Sequence, residues 1–121
     1  MIDPGTGIMY AVSGWNQKFY TVDMDTGAAP QSGSTGFQNG RRLAVNSTGV
    51  IYGIDNFSPY TYNKTTGAAT LIGPTLLPNL VEAADFNSNG VLYGMEGGGG
   101  SDYLHLRVLV TINLTTGLGG W

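Results

Sequence analysis

Val50–Gly73 reads VIYGIDNFSPYTYNKTTGAATLIG, and the order of residue types within it decides the fold. An apolar run centred on Tyr52 passes through the polar link Asp55-Asn56-Phe57-Ser58 to Tyr60-Thr61-Tyr62-Asn63, a β-branched and aromatic composition that strands favour. Lys64-Thr65-Thr66-Gly67 supplies short polar residues ending in glycine, as a tight hairpin requires, and Ala68 to Ile72 forms the next strand. Strand follows strand at hairpin distance, and no helix is expected.

The same pattern recurs on either side. Ile8-Met9-Tyr10-Ala11, Val50-Ile51-Tyr52-Gly53 and Val91-Leu92-Tyr93-Gly94 align, with their tyrosines 42 and then 41 residues apart. Each core follows a glycine turn: Asp3-Pro4-Gly5-Thr6-Gly7, Asn46-Ser47-Thr48-Gly49 or Asn87-Ser88-Asn89-Gly90. A second hairpin carries Asp25-Thr26-Gly27, Thr65-Thr66-Gly67 or Thr115-Thr116-Gly117, each led in by a strand (Phe19 to Asp23, Tyr60 to Asn63, Val110 to Asn113). Arg41 to Val45 and Val81 to Phe86 are strands running into the next glycine turn. The repeating unit is therefore four short strands in about 40 residues, the period of a propeller blade.

Composition bounds the function. The 121 residues suit one domain, read as a single β-repeat domain over 1–121 with repeats at approximately 1–31, 41–73 and 81–121. A net charge of −3 with 11% charged residues offers no basic face for phosphates, so nucleic acid is not an expected partner. There is no apolar run of 18 residues, so a membrane is not expected either, and Met1-Ile2-Asp3-Pro4-Gly5 lacks the pattern of an export signal. The absence of cysteine removes disulfides and thiolate metal sites and is compatible with either redox compartment. Twenty glycines without a three-residue period fit many tight turns.

The motif series, a strand ending N-x-x-G, then I/L-Y-G, then Y-T-x-N-x-T-T-G-A-A-T-L-I-G, resembles the bacterial NHL, YVTN and quinoprotein-like β-propeller repeats over nearly the whole chain. The resemblance implies an all-β fold of three four-stranded blades, with the strand entering N-S-T-G innermost and the strand after T-T-G outermost. It also implies face-to-face stacking, which accounts for the nearly continuous apolar character of V-I-Y-G-I. A β-trefoil or a β-prism has a similar repeat and is the alternative. Two departures stand out: only Met1-Ile2-Asp3 occupies the place of an inner strand in the first repeat, and an extension from Glu96 to Arg107 interrupts the third. Three blades cannot close a ring, and open ends would expose apolar faces. The expectation is a homodimer completing a six-bladed ring.

No reaction is expected. His105, Ser101 and Asp102 share one glycine-rich segment, whereas a nucleophilic relay needs groups fixed by separate rigid elements. Asp23-Met24-Asp25-Thr26-Gly27 has neither the length nor the terminal glutamate of a calcium loop, and turn chemistry explains it. The sequons at Asn46, Asn56, Asn63 and Asn113 mostly coincide with turns. Trp121 beyond Thr116-Gly117 resembles the T-G-x-x-x-W of quinoprotein blades, but a single occurrence implies no redox cofactor, and no cofactor or metal is expected. Tyr10, Tyr52 and Tyr93 are core by their repetition. The candidate ligand-binding residues lie where the repeat varies: Trp15, Phe57 and Tyr103 to stack, and Arg41, Arg42, Glu82 and Asp102 to fix polar groups of a small molecule, glycan or protein. The expected function is a non-enzymatic interaction or ligand-binding module. A lectin-like β-repeat, or part of a larger extracellular propeller hydrolase or lyase, are the alternatives.

Overall fold

A computed structural model describes residues 1–36, 41–55, 57–97 and 107–120. Their regular structure is entirely β: three antiparallel sheets, each a meander. The first holds β1 (Met9–Ser13), β2 (Lys18–Val22) and β3 (Gln31–Ser34). The second holds β4 (Arg41–Val45), β5 (Ile51–Ile54), β6 (Pro59–Tyr62) and β7 (Ala69–Leu71). The third holds β8 (Leu80–Phe86), β9 (Leu92–Gly97), β10 (Val108–Ile112) and β11 (Gly119–Gly120). Most of the extension from Glu96 to Arg107 falls outside the described residues, and β10 begins after it at Val108.

The repeat seen in sequence is a repeat in register. Tyr10 pairs with Thr21, Tyr52 with Thr61 and Tyr93 with Thr111. The three aligned tyrosines thus occupy one place on three successive sheets. Their turns are built alike: the side-chain oxygens of Asp23, Asn63 and Asn113 each accept two backbone N–H groups of the following turn. Each turn closes on a glycine, as at Gly67, whose φ of 77° suits a residue without Cβ. The acceptor role answers the calcium-loop and sequon motifs at these positions in turn terms.

The second sheet is covered on both faces because its strands alternate side chains between two cores. Ile51 joins Tyr10, Phe19 and Tyr62 in a cluster shared with the first sheet. Ala44 and Ile54 join Val81, Leu92, Val110 and Ile112 in a cluster shared with the third. Phe19 stacks between Tyr10 and Tyr62, at centroid distances of 5.6 and 6.0 Å, and Tyr52 meets Phe86 edge-on. β4 lies against β8 of the third sheet, its counterpart, and on its other side against β1, the counterpart of β5 in the first sheet.

The sheets are also joined through main chain. Thr35, leaving β3, donates its N–H to Gln17 O in its own sheet, and its carbonyl accepts from Ala69 N of the second sheet at 3.0 Å. Forty residues on, Thr75 donates to Phe57 O and accepts from Gly119 N of the third sheet at 2.9 Å. Both threonines are buried. Two residues earlier, Gly33 and Gly73 run so close to the next sheet that an added Cβ would stand 1.8 Å from Thr66 O and 2.2 Å from Thr116 O. Only glycine permits that approach.

Candidate functional site

A meander sends alternate connections to opposite ends of its sheet. The glycine turns at 46–49, 63–67, 87–90 and 113–117 fall at one end; the turn 14–17, the link 55–58 and the crossovers between sheets fall at the other. The variable connections therefore gather at the same end of each sheet, and the proposed site residues that the structure describes lie there.

They do not converge. Trp15 sits at the tip of the β1–β2 turn and is 81% exposed; Phe57, in the β5–β6 link, is 49% exposed. The Phe57 backbone is fixed, its N–H donating to Asp55 Oδ1 and its carbonyl accepting from Thr75. Arg42 occupies a β-bulge in β4 at φ 52°, a left-handed conformation that costs a side-chain-bearing residue about 1 kcal/mol. Arg41 opens β4 opposite Ile54, and its side chain lies outside the described residues. Glu82 lies at the corresponding bulge of β8 and takes an ion pair from Arg107 at 3.4 Å. Asp102 and Tyr103 lie outside the described residues, as do Ser101, His105, Asn56 and Trp121.

Two ionisable groups that were not proposed as site residues are the ones held most firmly. Asp3 is 1% exposed, accepts from Gly5 N at 2.9 Å and pairs with Lys64 of the second sheet. The Lys64 ammonium, then the Gly5 amide, hold its carboxyl below the usual carboxylate range. Glu96, 3% exposed, accepts both the backbone and side-chain amides of Asn79 through Oε1. It thereby pins the crossover into β8. Each carboxylate serves a connection, and among the described residues no three His, Cys, Asp or Glu side chains gather as a metal site. Tyr60 donates to Asp55 Oδ2 at 3.3 Å; burial, then the Asp55 charge, raises its phenol.

Arg42 also borders a concavity. A cleft of about 350 Å³ is lined by Met1, Tyr10, Ala11, Val12, Gly14, Arg42 and Leu43. It runs along the free edge of β1, where sheets two and three carry β4 and β8. Along that edge Ile2 bridges to Met9, Met1 exchanges hydrogen bonds with Tyr10, and Asp3 N donates to Ile8 O. A shallower groove of about 220 Å³ crosses the outer face of sheet three between Ala83, Tyr93, Met95 and Leu109. No protein-family model matches the chain, and no curated protein sequence matches it.

Sequence reading located Arg42 beside the cleft, without the cleft. The short Met1-Ile2-Asp3 segment was the available signal. For the joints, the signal was Gly33-Ser34-Thr35 and Gly73-Pro74-Thr75, a G-x-T repeated at 40 residues among more conspicuous turns.

Proposed function

We propose that the chain is a non-enzymatic module of β-propeller blades that pairs with a second copy into a six-sheet ring and works as an interaction or ligand-binding scaffold. The observation that carries the reading is the twice-repeated joint and the two half-joints left over. Gly67 and Gly117, in the outer turns of sheets two and three, are closely packed by the preceding sheet, whereas a Cβ at Gly27 in the first sheet would meet nothing within 4 Å. At the other end, Pro59 is fully buried in the second interface, and Leu109, its register equivalent in sheet three, is 57% exposed. Met24, which corresponds to Lys64 and Leu114 in the turns, is likewise exposed. The outer face of sheet three and the front of sheet one thus carry the two sides of a joint the chain already makes twice. Apolar faces of this kind are sites of association.

Light scattering on the eluting protein tests this. The expected mass is twice that of the chain, falling to one chain in Leu109→Asp, which charges the proposed joint. A wild-type protein that stays monomeric at tens of micromolar would overturn the ring.

A further inference from the structure

We infer that Asn89, in the turn between β8 and β9, is a site of spontaneous covalent modification: its side chain cyclises onto the Gly90 amide nitrogen and reopens as an aspartyl or isoaspartyl residue. The site lies in the third sheet and does not depend on the ring.

Cyclisation needs a carboxamide free to turn and a following residue with no side chain in the way. Asn46, Asn63, Asn87 and Asn113 fail on both counts. The Oδ1 of each holds two backbone amides of its turn, and Ser47, Lys64, Ser88 and Leu114 follow them. Asn79 gives its carboxamide to Glu96, and Asn16 precedes Gln17. Asn89 precedes Gly90, is exposed, and its carboxamide makes no hydrogen bond among the described residues. In the second sheet Thr48 takes the same place, and its hydroxyl donates to Asn46 Oδ1. The glycine after it is crowded: a Cβ at Gly49 would stand 2.8 Å from Lys64 Nζ and 3.1 Å from Asp3 Oδ1, whereas one at Gly90 would meet nothing within 4 Å. The Gly90 N–H is restrained by a bond to Asn87 O at 3.1 Å, and bonds in exposed turns open at little cost.

The step needs no co-reactant except water. The deprotonated Gly90 nitrogen attacks Asn89 Cγ; the N–Cγ bond forms, the Cγ–Nδ2 bond breaks, and Nδ2 leaves as ammonia with the proton that Gly90 lost. Water then opens the five-membered imide. At Cγ it leaves aspartate on an unaltered main chain. At the main-chain carbonyl it leaves isoaspartate, with the chain rerouted through Cβ and Cγ.

The two products differ in consequence. Asn87 Oδ1 accepts from Asn89 N at 3.0 Å and from Val91 N at 2.9 Å, so it clamps both sides of the Asn89–Gly90 linkage. Aspartate adds a charge and keeps the clamp. Isoaspartate puts one more main-chain carbon between the two donors, and a single acceptor no longer serves both. The hairpin so loosened carries Phe86, edge-on to Tyr52, and the fully buried Leu92.

The full chain, held folded in mildly alkaline buffer, is mapped by tandem mass spectrometry. A gain of about one mass unit is expected at Asn89 ahead of Asn46, Asn63, Asn87 and Asn113, with isoaspartate scored by methyl transfer from S-adenosylmethionine by an isoaspartyl-specific methyltransferase. Asn39-Gly40, outside the described residues, is read separately. Thr48→Asn puts the same dipeptide into the crowded turn of the second sheet and should convert there at least fivefold more slowly than Asn89. In the isoaspartyl form the Val91 amide should exchange about tenfold faster than in wild type, and in Asn89→Asp it should not. Should Thr48→Asn not fold, the comparison among the native asparagines decides alone. An Asn89 that converts no faster than those four, or equal rates at the two dipeptides, would overturn the site. Unchanged Val91 exchange in the isoaspartyl form would overturn the clamp.

Discussion

The carbonyl of Thr35 accepts the amide of Ala69 across the boundary between the first two sheets at 3.0 Å. Thr75 and Gly119 repeat the bond at the next boundary. Because each threonine also donates to a loop of its own sheet, the residue that ends one repeat fixes where the next begins. The sheets are consequently held at their outer strands by main chain and at their centres by side-chain packing.

Glycine at the joints is a steric requirement. Gly33→Ala would bring a Cβ to 1.8 Å from Thr66 O, a backbone atom that cannot turn aside. A loss of about 1–3 kcal/mol or more is expected from overpacking, with faster exchange at the Ala69 amide. Gly120→Ala, which meets nothing within 4 Å, is the control and should stay within about 0.5 kcal/mol in denaturant titration.

Phe19 is fully buried between Tyr10 and Tyr62. Phe19→Ala should cost about 3–5 kcal/mol through lost transfer energy and the cavity left behind. That is a large part of the stability of a small domain, so the variant should melt far below wild type. Trp15→Ala, at an exposed turn tip, should melt with wild type.

Asp3 is acidified in the folded chain by Lys64 and the Gly5 amide. A carboxyl with a lowered folded pKa contributes stability above its ordinary value of 3.8, and that contribution is lost as pH falls through the folded value. Melting temperature should therefore drop between pH 4 and pH 2, and part of that drop should vanish in Asp3→Asn. An unchanged acid limb in this variant would remove the ion pair from the account.

Tyr62 titrates in the opposite direction. Burial, with lesser repulsion from Asp55, raises its phenol well above 10.0. The unfolded chain ionises first, so its contribution is present below pH 10 and is lost as pH rises beyond it. Tyr62→Phe should flatten the alkaline limb of stability, read by circular dichroism from pH 9 to 11.5.

The sequence by itself determined most strands, the turns and the repeat, although β3 (Gln31–Ser34) lies beyond the first repeat's expected end at residue 31 and that sheet holds three strands where four are expected. Asn63-Lys64-Thr65-Thr66-Gly67 encodes its hairpin locally, because the Asn63 oxygen and the φ of Gly67 need only neighbouring residues. The alternation that buries Ile51 toward one sheet and Ile54 toward another was legible in V-I-Y-G-I, since strand geometry fixes side-chain direction. Tertiary structure alone decided the rest. Asp3 and Lys64 are 61 residues apart and meet only when two sheets stack. Thr35 and Thr75 bond through backbone groups that every residue carries, so no side-chain pattern announces them. The cleft beside Val12 is lined by Met1, by residues of β1 and by residues of β4, separate stretches of chain that only folding brings together.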